Sequence, residues 1–190
     1  MNKKALTLLD SQKNTPVIVQ SLNELVTALS EGERTTYNNI IRSMNIPSSV
    51  FNNYCSWSDD SYTRNCIVDN EKFEVILLCW EPGQKTPIHD HGGEECWVAV
   101  IEGEFKETIY QLNNDDELKV VKSAIAKTND VTYMIDFMGF HRLENLSNKR
   151  SMSLHMYAKP IRSCNMYDEK SGKIINRELV YTTVSELEKH

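Results

Sequence analysis

The chain has 190 residues, 40% hydrophobic and 25% charged, a length and mix that can bury roughly 70% of the unfolded surface without disulfide or zinc staples. Its 27 acidic residues outnumber 21 basic ones for a net charge of −6, which argues against a nucleic-acid backbone or an anionic membrane as partner. A small molecule is the expected partner.

Two lysines open the chain, but the apolar run Ala5 to Leu9 stops at Asp10, about half the length of a secretory core. No segment approaches the length of a membrane span. Five cysteines (Cys55, Cys66, Cys79, Cys96, Cys164) are an odd number with no C-x-x-C pair, which fits a reducing cytosol better than a disulfide framework. A cytoplasmic monomer is the expectation.

Ser21-Leu-Asn-Glu24 has the form of a capping box, and Leu22, Leu25, Val26 and Leu29 fall on one helix face. A helix from about Ser21 to Glu31 is predicted. Tyr37, Ile40, Ile41 and Met44 repeat the spacing until Pro47 stops it, so a second short helix completes a helical segment at about 18–45. From about Tyr62 onward short β-like runs take over: Phe73–Trp80, Cys96–Ile101, Phe105–Leu112, Leu118–Ala126, Ser151–Tyr157 and Ile174–Thr182. Glu81-Pro-Gly83, Glu102-Gly103 and Asn113-Asn-Asp-Asp116 supply turn chemistry between them. With no helical pattern between strands, a closed or sandwiched antiparallel fold is favoured over βαβ units. Without repeats or linkers, residues 1–190 read as one domain.

His89 and His91 in Pro87-Ile-His-Asp-His91 stand at i and i+2, which on a strand places both on one face, as two ligands of a metal would need. A third ligand must come from elsewhere, and zinc and iron both accept histidine nitrogens. Ser153, His155 and Tyr157 alternate on another apparent strand and can form a hydrogen-bonded relay or a satisfied buried network. No nucleophile elbow G-x-S-x-G accompanies them.

The spacing Gly83, His89-x-His91, Glu95 or Cys96, Gly103, followed later by His141 and Asn145, resembles the two motifs of the cupin superfamily. Cys79-Trp80, Cys96, Gly139-Phe-His-Arg-Leu-Glu-Asn145, Ser153-Leu-His-Met-Tyr157 and Tyr62-Thr-Arg-Asn65 resemble, in order, cysteine dioxygenase type I. That likeness runs from about Leu22 to Thr183. It implies a mainly β fold, a cupin jelly-roll barrel with short N-terminal helices, holding Fe(II) on His89, His91 and His141.

The same resemblance implies oxidation of L-cysteine with O2 to cysteine sulfinic acid. Arg64 would clamp the substrate carboxylate with help from Tyr62, because a planar guanidinium meets a carboxylate with two parallel hydrogen bonds. Ser153, His155 and Tyr157 would lie beside the iron, and Cys96 would join Tyr157 in a thioether. Relatives acting on 3-mercaptopropionate tend to carry glutamine at the arginine position, so Arg64 points to cysteine. Two rivals remain: a dioxygenase of another small thiol (3-mercaptopropionate or cysteamine), and a non-catalytic cupin binding a metal or metabolite. Where the family often has Ser-Pro-Pro after the tyrosine, with a cis proline, this chain reads Tyr157-Ala-Lys-Pro160. A cis bond before Lys159 would cost roughly 3 kcal/mol, so the pocket wall there is expected to differ.

Overall fold

The computed structural model describes residues 18–114 and 117–185; the opening lysines and the run Ala5 to Leu9 lie outside them. Helix α1 spans Leu22–Glu31. The Ser21 hydroxyl accepts the Glu24 N–H at 3.1 Å, satisfying one orphan donor of the helix start, while the Glu24 carboxylate reaches back past the cap to the Gln20 N–H at 2.8 Å. Its buried stripe is Leu22, Leu25 and Leu29. Helix α2, Tyr37–Arg42, ends earlier than its apolar spacing suggests, because Met44 leaves the helix to bridge Val19. A 3-10 turn at Ser48–Tyr54, unforeseen by periodicity, follows Pro47 and buries Phe51.

Twelve strands follow: β1 (Thr63–Asp69), β2 (Glu74–Trp80), β3 (Ile88–His89), β4 (Cys96–Glu102), β5 (Glu104–Leu112), β6 (Leu118–Lys127), β7 (Val131–Met134), β8 (Phe140–Asn145), β9 (Ser151–Tyr157), β10 (Ser163–Asp168), β11 (Lys173–Glu178) and β12 (Thr183–Val184). They form two six-stranded sheets, in the orders β12-β1-β2-β9-β4-β7 and β11-β10-β3-β8-β5-β6. Every named pair is antiparallel except β1 with β12. The architecture is the expected mainly β barrel with short N-terminal helices.

Alternation divides the hydrophobic residues into two cores. Val75, Leu77 and Cys79 of β2, with Leu154 and Met156 of β9, pack outward on the helices and Phe51. Ile76, Leu78 and Trp80, with Val98, Val100 and Tyr157, pack inward with Phe105 and Leu143 of the other sheet. Both faces of β2 are therefore covered, which is why Glu74–Trp80 is buried throughout and reads as an unbroken apolar run. Two glycines carry tight connections: Gly103 turns β4 into β5 at φ +108° against Ser151, and Gly139 enters β8 at φ +103° against the Tyr110 carbonyl. Both conformations exclude an ordinary side chain.

The predicted strand Ile174–Thr182 stops at Glu178. The Leu179 N–H turns to the Arg162 carbonyl at 2.8 Å, and Thr182 then takes both backbone groups of Arg64: its N–H donates to the Arg64 carbonyl at 2.7 Å and its hydroxyl accepts the Arg64 N–H at 3.0 Å. The C-terminal segment thus straps the β1 edge where Arg64 stands. Among the described residues no helix is long and apolar enough to cross a membrane.

Candidate metal centre and substrate pocket

Strand alternation is not what gathers the histidines. β3 ends at His89, and His91 lies beyond it, just before the Gly92-Gly93 turn with φ values of 60° and 95°. Asp90 folds this loop: its carboxylate accepts the Gly92 N–H at 3.2 Å and two Asn165 donors at 2.8 Å each. His141 arrives from β8, whose register sets it directly opposite His89. Ring centroids are 5.5 Å apart for His89 and His91, 4.7 Å for His89 and His141, and 4.6 Å for His91 and His141. One nitrogen of each lies within 4.8 Å of the others.

Outer partners orient the rings. His89 Nδ1 is 3.0 Å from the Pro87 carbonyl, which can only accept, so the proton sits on Nδ1 and Nε2 keeps its lone pair. His141 Nδ1 is 2.9 Å from Glu107 Oε1, with the same consequence. His91 Nε2 and His141 Nε2 stand 2.9 Å apart in the barrel. That separation suits adjacent ligands of one ion with metal–nitrogen bonds of about 2.0–2.1 Å. Desolvation, then the neighbouring His141 ring, pushes His89 down to about 3 and holds His91 well below the ordinary range. Both are neutral at pH 7, ready to ligate without first losing a proton. The donor set fits a divalent metal, and among the described residues no carboxylate belongs to the cluster.

Glu107 is the functional candidate that motif reading missed. It lies buried on β5 between the inward Phe105 and Ile109, and an acid on the core face of a strand was the available signal. A carboxylate behind a ligating imidazole fixes its tautomer and raises its basicity. Glu107→Gln is expected to weaken metal binding about 10- to 100-fold while the protein stays folded; competition with a metallochromic chelator measures it, and unchanged affinity would remove Glu107 from the centre.

Beside the histidines, Cys96 and Tyr157 face each other as direct partners in the β4–β9 ladder. Burial pushes both the thiol and the phenol well above their ordinary ranges, so both stay protonated at pH 7. The Tyr157 ring lies 5.5 Å from that of His91, and its hydroxyl is within hydrogen-bonding reach of Arg64 and Cys96. Glu95, the other reading of the motif position, turns away to the Tyr133 hydroxyl at 2.7 Å and to Arg34 at 2.6 Å.

Arg64 projects from β1 with Nε and Nη2 buried and, among the described residues, without a hydrogen-bond partner. These two nitrogens form one edge of the guanidinium, and each unsatisfied buried donor costs about 1–3 kcal/mol. Desolvation opposes its charge, but Tyr157 and Glu74 beside it hold the pKa above the ordinary value. Tyr62 stacks on Trp80 at 4.7 Å and walls the same pocket as Arg64.

The expected relay reaches only part way. Trp80 Nε1 donates to the Ser153 hydroxyl at 3.0 Å, and that hydroxyl lies 2.9 Å from His155 Nε2. Among the described residues His155 Nδ1 has no hydrogen-bond partner, and its ring stacks on Tyr157 at 6.4 Å and 29° instead of bonding it. The two rings meet by their faces because i and i+2 side chains on one strand lie parallel. No peptide bond among the described residues is cis, so the chain passes Lys159 in the ordinary trans form.

Two antiparallel sheets enclosing a histidine cluster between β3 and β8 define a cupin barrel. Residues 8–170 match the family model described as Cysteine dioxygenase type I. The human protein named Cysteine dioxygenase type 1 is 32% identical over 123 residues, 63% of this chain and 62% of that protein. Its zebrafish (Danio rerio) namesake is 29% identical over 164 residues, 80% and 82% of the two chains. A solved structure of a double-stranded β-helix domain protein from Klebsiella pneumoniae superposes with a TM-score of 0.46 at 17% identity, covering 66% of this chain and 85% of that one. The match thus spans less than two thirds of the human relative's length. The chain belongs to the cysteine dioxygenase type I family.

Proposed function

We propose that this chain is an iron(II)-dependent thiol dioxygenase that oxidises L-cysteine with O2 to cysteine sulfinic acid. The observation that carries the reading is the bare Nε–Nη2 edge of Arg64 beside a cluster of three imidazoles. One edge asks for a carboxylate; the other group asks for a metal with room for a thiolate. Fe(II) held by His89, His91 and His141 would supply the one-electron chemistry that lets O2 react with a thiolate. Neutral ligands leave the ion its full positive charge, which favours an anionic sulfur over a neutral one.

The chain's own residues bind and orient. Arg64 would take the substrate carboxylate through two parallel hydrogen bonds, and Tyr157, in reach of Arg64, would present its hydroxyl to the same end of the substrate. Tyr62 and Trp80 exclude water from that side by stacking. Holding thiol and carboxylate at once converts an encounter of three partners into an ordered one. Anaerobic iron loading followed by oxygen uptake with cysteine, 3-mercaptopropionate and cysteamine tests the reading. Cysteine is expected to be the preferred substrate, with one O2 consumed per sulfinate formed; uptake with none of the three would favour a non-catalytic, metal-binding cupin.

A second expectation concerns the Cys96–Tyr157 pair. Carbon–sulfur bond formation removes one hydrogen from the thiol and one from the phenol ring, and O2 accepts both. The joined species would be two hydrogens lighter in intact mass, increase on incubation with iron and cysteine, and be missing from Cys96→Ser and Tyr157→Phe. A wild type that turns over cysteine without ever forming it would return Cys96 to a packing role.

A further inference from the structure

Tyr62 and Arg64 also wall one side of a cavity of about 720 Å³, whose other side is the β10–β11 turn. Its lining is electrostatically unlike the rest of the molecule. Five cations (Arg64, Lys85, Arg142, Lys170, Arg177) face two anions (Asp168, Glu169), an excess of three positive charges on a chain whose total is −6.

Not all of these charges are free to act at a distance. Arg142 is paired with Glu169 and donates to the Thr86 carbonyl at 3.0 Å. Asp168 accepts the Ser171 hydroxyl at 2.6 Å and the Lys170 N–H at 3.1 Å. Among the described residues, Lys85, Lys170 and Arg177 take part in no ion pair, and all three are exposed. A concave, low-dielectric wall concentrates the field of such a rim over the opening.

Small thiols differ in net charge near pH 7: 3-mercaptopropionate is an anion, cysteine a zwitterion with no net charge, and cysteamine a cation. We propose that Lys85, Lys170 and Arg177 make this mouth a charge filter, drawing in thiols of net negative charge and turning away cationic thiols before Arg64 receives a carboxylate. The inference rests on the reading of the inner pocket as a thiol-carboxylate site.

The test follows association of these three thiols with the Co(II)-loaded protein by the absorption of a cobalt-bound thiolate, at about 20 mM and about 300 mM salt. The on-rate of 3-mercaptopropionate is expected to fall about threefold to tenfold with added salt, that of cysteine to change less than about twofold, and that of cysteamine to rise. In the triple variant Lys85→Gln, Lys170→Gln, Arg177→Gln the three salt dependences should converge. The metal's own charge is present in both proteins, so their difference reports the rim alone. Equal salt dependences for all three thiols, or a variant indistinguishable from wild type, would overturn the filter. A protein that takes cobalt but shows no thiolate band with any thiol would instead refute the inner-pocket reading.

Discussion

Replacing any one of His89, His91 or His141 by alanine is expected to abolish stoichiometric metal retention and reduce oxygen uptake below detection. Three imidazoles without a carboxylate are a minimal donor set, so losing one should cost more than the about 10- to 100-fold that an outer partner is worth. The three variants should nevertheless differ in stability. His89 is half-buried and its Nδ1 bonds a backbone carbonyl, that of Pro87, so its removal strands no buried charged partner. His141 is fully buried and bonded to buried Glu107. Truncating it leaves that acid without its imidazole, a further cost of about 1–3 kcal/mol. His141→Ala should therefore melt lower than His89→Ala, and combining it with Glu107→Leu should recover part of the loss. Metal analysis after desalting, with melting curves on the same samples, decides; full occupancy in any one variant removes that residue from the ligand set.

These stability differences were not legible in the amino-acid order, although the ligands were. The His-x-His spacing with a later histidine pointed to a metal, but the reason given, two residues on one face of a strand, does not hold. Asp90, the residue between them, does the work by folding the loop onto Asn165, a partner too distant in sequence to be seen. Helix α1 was readable because its cap and stripe are local, and β2 because an apolar run covered on both faces needs no partner to be recognised. Strands β1, β3, β7, β8, β10 and β12 were not among the clear runs: β3, β7 and β12 are very short, and β1, β8 and β10 mix polar residues into both faces, as in Ser-Cys-Asn-Met-Tyr-Asp of β10. Pairing with neighbours, and not intrinsic propensity, makes them strands. The relay through Ser153, His155 and Tyr157 failed at its last link for a geometric reason: alternation reports which face a residue occupies and not which atoms meet.

Arg64→Gln is expected to lower kcat/KM for cysteine by roughly 30- to 1000-fold, equivalent to about 2–4 kcal/mol, while hardly changing use of cysteamine, which has no carboxylate. The backbone of Arg64 is fixed from both sides: by the ladder to Leu78 of β2 and by Thr182 of the C-terminal strap. Its side chain is thus aimed before substrate arrives, so little ordering entropy is lost on binding. Glutamine keeps one amide donor in the pocket but loses both the charge and the paired edge. Arg64→Lys separates those two losses, because it retains charge without the planar fork. If paired geometry dominates, lysine should behave nearly as glutamine does; if charge dominates, it should recover most of the activity. Removing the fork should also relieve the unsatisfied Nε and Nη2 donors, so Arg64→Gln is expected to melt no lower than wild type without substrate. Equal kcat/KM for cysteine in Arg64→Gln and wild type would show that the carboxylate is bound elsewhere, and the choice of substrate would reopen with it.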